Sequence, residues 1–267
     1  MTLVVAPVVA AAGPLARRNP VAKLAAALVF TVPLLATLDP LTPTLALVVE
    51  LAALPFFGIG YATLARRAWP LLIAALGIVV TMVLFSASRT GTLLVSLGPL
   101  DVTTGVLLGA LGLALRIFAF ALPGVMVFAT TDPTDLADAL VQNAKAPARF
   151  AIGALAAFRL VPLLGQEWQM LTLARRARGI DAGHSPPARL RLFGSTAFAL
   201  LVGALRRGGR LAVAMDARGF DSGLSRTYAR RQVFGGLDLA LVIGAAVLSA
   251  GALTVSILFG VFRPILG

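Results

Sequence analysis

Two ten-residue segments, 174–183 and 214–223, are near copies of each other, and each carries an arginine in the same frame. Six of their ten positions are identical, including an Ala-Arg-Gly triplet. Arginine presents a planar guanidinium fork that binds a carboxylate through two hydrogen bonds and also stacks on apolar surface. The duplication therefore predicts two equivalent contacts with acidic groups. The candidate docking residues are Ala177, Arg178, Gly179, Ala217, Arg218 and Gly219.

Each copy also has the composition expected at the end of an α-helix. Alanine favours helix, arginine suits the last turn, and glycine commonly follows the last helical residue. A simpler interpretation is that Arg178 and Arg218 only complement the negative end of a helix dipole, an effect of about 0.3–1 kcal/mol. That effect does not require an aspartate two residues after each glycine, yet Asp181 and Asp221 both occupy that position. The shared frame favours a paired docking device.

The composition of the whole chain indicates an integral membrane protein. Its 267 residues are 59% hydrophobic and 13% charged, with a mean hydropathy of +0.94, whereas soluble domains are about a quarter charged. Nucleic-acid binding is one explanation of 23 basic against 11 acidic residues. A positive-inside distribution on alternate loops is a better one. The absence of cysteine and the single histidine argue against a metal site or a catalytic triad.

Five apolar segments are long enough to cross a bilayer, at residues 21–38, 44–60, 69–86, 105–129 and 239–261. If the N-terminus is cytoplasmic, most of the basic residues in the short segments between spans lie inside, as the positive-inside rule requires. Those residues are Arg17, Arg18, Lys23, Arg66 and Arg67. The segment 131–236 then also lies inside and holds 15 of the 23 basic residues. We expect a multi-pass protein of the cell membrane with a cytoplasmic N-terminus.

The predicted domains follow from this topology: a membrane domain with four transmembrane helices at 1–130, a cytoplasmic domain at 131–236, and a C-terminal transmembrane helix at 237–267. The cytoplasmic domain opens with Asp132-Pro133, a capping residue and a proline at the first helical position. Two long amphipathic helices follow, separated at Pro186-Pro187, and each ends in one copy of the repeated frame. Their Arg175, Arg206 and Arg210 are candidates for secondary docking or contact with anionic lipid.

Two charged residues fall within predicted spans. Glu50 lies near the middle of the second and Arg116 near the middle of the fourth, where a charge costs about 2.5–3.5 kcal/mol on an insertion scale. Their similar depth predicts that they form a pair. The alternative is that Glu50 binds a translocated proton or ion, although no other span offers further ionisable groups for a relay.

The chain lacks the Gly-x-x-x-x-Gly-Lys-Ser/Thr sequence of a P-loop, and it has neither a Gly-x-Ser-x-Gly nor a His-Glu-x-x-His motif. The chain thus combines membrane spans with a basic segment suited to docking, but it has no nucleotide-binding motif of its own. This combination indicates that another subunit supplies the energy for its function.

Several motifs together resemble one family, the transmembrane (T) component of energy-coupling-factor transporters. This family includes the cobalt and nickel Q-type subunits and the permease-like subunit of biotin transporters. The resemblance covers most of the chain, and its most specific part is the pair of Ala-Arg-Gly triplets after a membrane bundle. The other matching segments are 19–24, 130–136, 158–164 and Phe220.

The resemblance implies an all-α membrane protein with about five transmembrane helices and long cytoplasmic amphipathic coupling helices. In such a protein Arg178 and Arg218 would each pair with acidic residues in a groove of one of two ATP-binding-cassette ATPases. The helices would also cradle a small membrane subunit that captures a vitamin or a transition-metal ion. The chain itself would be non-catalytic and without a cofactor, with ATP bound by its partners and with membrane lipids, not nucleic acid, around it.

Two other functions remain open at this point. One is a membrane-embedded enzyme acting on an anionic lipid or an isoprenoid phosphate. Its acids would be Asp132, Asp135 and Asp138, although a helix N-terminus explains their spacing more simply. The other is a channel or ion-coupled carrier that works without partners.

Overall fold

The computed structural model describes residues 13–37, 39–85, 91–97, 100–181, 183, 185–220, 222 and 227–262. Within these ranges the chain is mainly helical. The helices are α1 (Pro20–Leu34), α2 (Leu41–Ala53), α3 (Tyr61–Phe85), α4 (Thr104–Thr130), α5 (Pro133–Gln142), α6 (Ala148–Ala177), α7 (Pro186–Ala217) and α8 (Gly236–Leu258). Two short strands, β1 (Leu93–Leu97) and β2 (Leu100–Thr103), pair antiparallel in the connection from α3 to α4.

Helix starts follow the local sequence closely. The Asn19 side chain accepts a hydrogen bond of 2.9 Å from the backbone N–H of Val21, and α1 begins with a proline. The Asp132 side chain accepts one of 2.7 Å from the N–H of Thr134, again with a proline at the first position of α5. A capping side chain followed by proline satisfies one free donor and removes another. The predicted start of α5 is therefore confirmed.

The chain divides into two compact units. The bundle unit comprises the described residues of 13–145 and 232–262, and the helix-pair unit comprises those of 146–231. The predicted domain boundaries at 130 and 236 remain a prediction about organisation. In the structure α5 packs on α1 and so lies within the bundle unit.

The core of the bundle unit lies where α1, α2, α4 and α8 pack together. Ala22, Ala46 and Ala119 are almost fully buried at these contacts, and such small side chains let helix backbones approach closely in membrane proteins. The Ser249 hydroxyl on α8 donates a 3.0 Å hydrogen bond to the carbonyl of Phe30 on α1. Close packing and buried hydroxyl bonds thus hold the bundle together.

Five described helices are long and apolar enough to cross a membrane: α3, α4, α6, α7 and α8. The chain is accordingly an all-α, multi-pass membrane protein. The number of candidate spans, five, agrees with the prediction. The helices themselves differ, because the first two predicted spans correspond to shorter helices of 15 and 13 residues. At 1.5 Å per residue they extend only about 20–22 Å, and Pro55 follows the end of α2 closely.

The long helices of the helix-pair unit qualify as candidate spans by length and composition. The sequence interpretation had treated them only as amphipathic surface helices, because their apolar stretches are flanked by arginines. In the structure both run without a break, over 30 residues in α6 and 32 in α7. Their apolar stretches are less hydrophobic than those of α3, α4 and α8.

Candidate docking site at the ends of two long helices

Helix α6 ends in a left-handed glycine cap. The N–H of Gly179 donates to the carbonyl of Arg176 at 2.9 Å, and the N–H of Ile180 donates to the carbonyl of Arg175 at 3.0 Å. Gly179 has φ +74°, a region that costs residues with a Cβ about 1–2 kcal/mol. Arg178 immediately precedes it, with φ −88° and ψ 8°. This is the Schellman arrangement, which satisfies carbonyls left free in the last turn.

Helix α7 ends in the same way. Gly219 donates to the carbonyl of Asp216 at 2.9 Å, and Phe220 donates to that of Met215 at 3.0 Å. Gly219 has φ +71°, and Arg218 has φ −89° and ψ 7°. The two arginines therefore have backbone angles that agree within a degree. Asp221 and Gly223, which complete the second copy of the repeated frame, lie outside the described residues.

Both arginine side chains are accessible. Arg178 and Arg218 are exposed, as are the alanine and glycine on either side of each. Among the described residues neither guanidinium group has a hydrogen-bond or ion-pair partner. Two exposed guanidinium groups on identical rigid helix ends are suited to bidentate binding of carboxylates supplied by other chains.

The two arginines lie near opposite ends of α7. Arg178 comes seven residues before Ser185, the N-cap of α7, and Arg218 is its C-cap. A helix of 32 residues is about 48 Å long. The unit therefore carries one copy of the arginine-bearing helix end just before α7 in the chain and the other at the C-terminus of α7.

Arg218 borders a groove between α6 and α7 with a volume of about 500 Å³. Its walls are largely apolar, with Ile152, Leu155 and Met215 among the residues that line it, and Arg159 contributes a second guanidinium group. The groove can thus receive an apolar side chain beside an acidic one.

Arg175, a candidate for secondary docking or lipid contact, bonds to α7 in the structure. Its guanidinium Nη1 donates to Ser195 Oγ at 2.6 Å, to Thr196 Oγ1 at 2.7 Å and to the carbonyl of Leu192 at 3.3 Å. These bonds tie the last turns of α6 to the first half of α7. Arg175 therefore holds the two helices together through Nη1, and a docking or lipid contact by this residue remains a prediction.

Two further contacts join α6 and α7. The rings of Trp168 and Phe193 are 5.1 Å apart between centroids and tilted by 55°, a favourable aromatic geometry. Arg207 forms an ion pair with Glu167. The other candidates for secondary docking or lipid contact, Arg206 and Arg210, are exposed on α7, so their role remains a prediction.

The predicted pair between Glu50 and Arg116 does not form. Neither carboxyl oxygen of Glu50 has a hydrogen-bond partner. Arg116 donates to the carbonyl of Leu35 at 3.1 Å, and its guanidinium carbon lies 5.4 Å from the centre of the Phe120 ring. Similar depth along two helices does not fix the direction in which each side chain points, which is why the prediction was wrong.

Sequence reasoning missed a polar junction in the bundle unit. Asn19 donates from its backbone to Asp238 Oδ1 at 2.9 Å and from its side chain to Asn143 Oδ1 at 3.1 Å. Asn143 in turn donates to the carbonyl of Gln232 at 3.1 Å, and Gln232 donates to Gln142 Oε1 at 2.9 Å. Residues just before and just after the helix-pair unit are thus bonded together. The Asn-Pro start of α1 was the available signal.

No cluster of metal-ligating side chains occurs among the residues that the structure describes. His184 lies outside them. The fold and these two helix ends therefore define a multi-pass helical membrane protein that exposes the same arginine-bearing helix end twice.

Comparison with known proteins identifies the family of this membrane protein. A family model described as cobalt transport protein (CbiQ) matches residues 12–229. The chain belongs to this family, that of the transmembrane components of energy-coupling-factor transporters.

Named relatives agree with the family assignment. The chain is 29% identical over 213 residues to the energy-coupling factor transporter transmembrane protein EcfT of Bacillus subtilis, covering 74% of this chain and 80% of that protein. It is 32% identical over 248 residues to EcfT of Heliobacterium modesticaldum, covering 87% and 90%. A Bifidobacterium longum protein described as an ABC transporter ATP-binding protein is 31% identical over 169 residues, covering 60% of this chain and 21% of that protein.

Proposed function

We propose that this chain is the coupling subunit of an energy-coupling-factor importer, in which Arg178 and Arg218 each dock on one of two ATP-binding-cassette ATPases. The observation that carries the proposal is the repeated helix end, with the same backbone angles, the same two capping bonds and an exposed arginine. Two equivalent ATPase subunits require two equivalent contacts.

The geometry suits the transmission of force. Each arginine is held on the end of a long helix, so a movement imposed at one end is carried along about 48 Å of α7. The bonds of Arg175, in the last turn of α6 beside Arg178, and the Trp168–Phe193 contact join the two helices. ATP-driven closure of the ATPases would therefore move the helix pair, with ATP bound and hydrolysed by the partners.

The same proposal includes a small membrane subunit that captures the substrate, a vitamin or a transition-metal ion, and releases it inward when the helix pair moves. The relatives named EcfT support membership of such an importer. The relative described as an ATP-binding protein contains a region similar to this chain within a much longer protein, which supports ATPase partners. The N-terminus and the helix pair would lie on the cytoplasmic side.

The proposal is tested by reversing both charges, Arg178→Glu with Arg218→Glu, in the co-expressed complex. Replacing one partner of a buried interfacial charge pair costs about 2–5 kcal/mol, and a like charge adds repulsion. We expect at least a tenfold loss of ATPases that co-purify with the chain, together with loss of substrate uptake. Unchanged uptake in this variant would contradict the proposal.

The repeat itself provides a matched control. Arg176 occupies the position that Asp216 holds in the second copy, and both are exposed. Arg176→Asp therefore gives the first copy the residue already present in the second. We expect this variant to retain assembly and uptake, so a loss equal to that of the double variant would indicate a general effect of charge.

A further inference from the structure

The bundle unit contains a cavity of about 260 Å³ between α1, α2, α4 and α8. Its walls are almost entirely apolar, and Ala26, Phe30, Met126 and Leu241 are among the residues that form them. Glu50 on α2 also lines it. Burying a carboxyl group among apolar side chains is costly, and buried ionisable residues in membrane proteins commonly mark binding sites or ion pathways.

Glu50 has no partner within the unit. The residue is only 6% exposed, and neither of its carboxyl oxygens receives a hydrogen bond. Leaving a buried acceptor unsatisfied costs about 1–3 kcal/mol, and more for a charged group. The neighbouring residues do not relieve this cost, because the side chains that share the cavity wall with Glu50 are apolar except for Lys23.

Lys23 does not neutralise the carboxyl group. Its ammonium donates to the carbonyl of Thr130 at 2.8 Å and makes longer contacts with Thr131 Oγ1 at 3.4 Å and the carbonyl of Ala16 at 3.5 Å. Lys23 is 2% exposed and so is fixed in this position. The cavity therefore has one unpaired acid and no free cation among its described lining residues.

We propose that the cavity binds a hydrophobic ammonium, a primary ammonium group carried on an apolar body. The ammonium supplies the opposite charge and the N–H donors that both oxygens of Glu50 lack. The apolar body fills the chamber between the four helices. A quaternary ammonium brings the charge without N–H donors, and an alcohol brings a donor without the charge, so both bind more weakly.

This site is separate from ATPase docking, since all its residues belong to the bundle unit. It can therefore be tested on the full-length chain purified alone in detergent micelles. The probes are hexylammonium, hexyltrimethylammonium and hexanol, and the readout is the thermal unfolding midpoint as a function of probe concentration, because a ligand of the folded state raises that midpoint. We expect saturable stabilisation by hexylammonium, with a dissociation constant at least tenfold below those of the other two probes.

Two variants separate the ammonium contact from the apolar chamber. Glu50→Gln should weaken hexylammonium binding at least tenfold and leave hexanol binding unchanged. Gly244→Leu should weaken hexylammonium and hexanol alike, since Gly244 lines the cavity and a Cβ placed there meets no atom within 4 Å. Gly251→Leu is the matched control on the same helix, because a Cβ there also meets open space and the residue does not line the cavity.

Equal affinities for hexylammonium and hexanol in the unmodified chain would overturn the proposal. So would unchanged hexylammonium binding in Glu50→Gln or in Gly244→Leu. The natural source is found by repeating the titration in nanodiscs. If phosphatidylethanolamine added to phosphatidylcholine discs abolishes the effect of hexylammonium, the ligand is a lipid amine; if the effect persists, it is a free amine.

Discussion

At the scale of single residues, two glycines determine how Arg178 and Arg218, the arginines proposed to dock, are held at their helix ends. Gly179 and Gly219 have φ of +74° and +71°, and only glycine adopts this region without strain. Each glycine ends its helix directly after the arginine, so the guanidinium group projects from a helix end that is capped by backbone bonds. The sequence alone correctly predicts that each helix ends at its glycine, because glycine commonly follows the last helical residue.

Replacing these glycines by alanine should weaken both helix ends. Gly179→Ala and Gly219→Ala each introduce a Cβ at positive φ, and we expect each to cost about 1–2 kcal/mol. The loss should appear as a lower thermal unfolding midpoint and as faster dissociation of co-purified ATPases.

The control for that experiment is Gly203→Ala, within α7, where a Cβ meets no atom within 4 Å. Alanine in a helix interior is favoured over glycine by about 1 kcal/mol, so this variant should be as stable as the original chain or more so. If Gly179→Ala and Gly219→Ala leave the unfolding midpoint and ATPase dissociation as Gly203→Ala does, the left-handed caps do not hold the arginines in place.

At the scale of elements, the structure explains why two polar residues lie at the start of an apolar stretch of α7. Ser195 and Thr196 directly precede the apolar run 197–205. Ser195 and Thr196 accept the hydrogen bonds of Arg175 from α6. The polar residues are therefore the site at which the two long helices are joined.

Breaking this contact between α6 and α7 should loosen the helix pair without removing Arg178 or Arg218. Arg175→Ala removes three hydrogen bonds, for which we expect a loss of about 1–3 kcal/mol in local stability. Hydrogen–deuterium exchange measured by mass spectrometry should show faster exchange at residues 190–200 of α7. Arg176→Ala, an exposed neighbour in the same turn, should leave exchange unchanged, and equal effects of the two variants would contradict this role for Arg175.

What the sequence could predict at this scale has a physical limit. Helix ends depend on neighbours along the chain, so the ends of α6 and α7 and the start of α5 at Asp132 were predictable. Contacts between helices depend on rotation about each axis, which apolar composition leaves undetermined. The partners of Arg175, Arg116 and Asn19 therefore emerged only from the structure.

At the scale of the whole molecule, helix length and charge distribution predict different topologies. Five described helices are long and apolar enough to cross a bilayer, including α6 and α7, whereas the positive-inside rule predicts that 131–236 lies entirely inside. The chain contains no cysteine, so single introduced cysteines can be labelled with an impermeant maleimide without any background.

The decisive pair is Arg149→Cys and Arg176→Cys, both exposed and near opposite ends of α6. If α6 lies on the cytoplasmic face, both positions react from that side only, because the arginines along the helix pair favour the inner surface. Thr92→Cys, in the connection from α3 to α4, should react from outside, and Arg66→Cys, with a basic neighbour at Arg67, should react from inside. Reaction of the two α6 positions from opposite sides would show that α6 spans the membrane, and Arg178 would then lie at the end of a transmembrane helix.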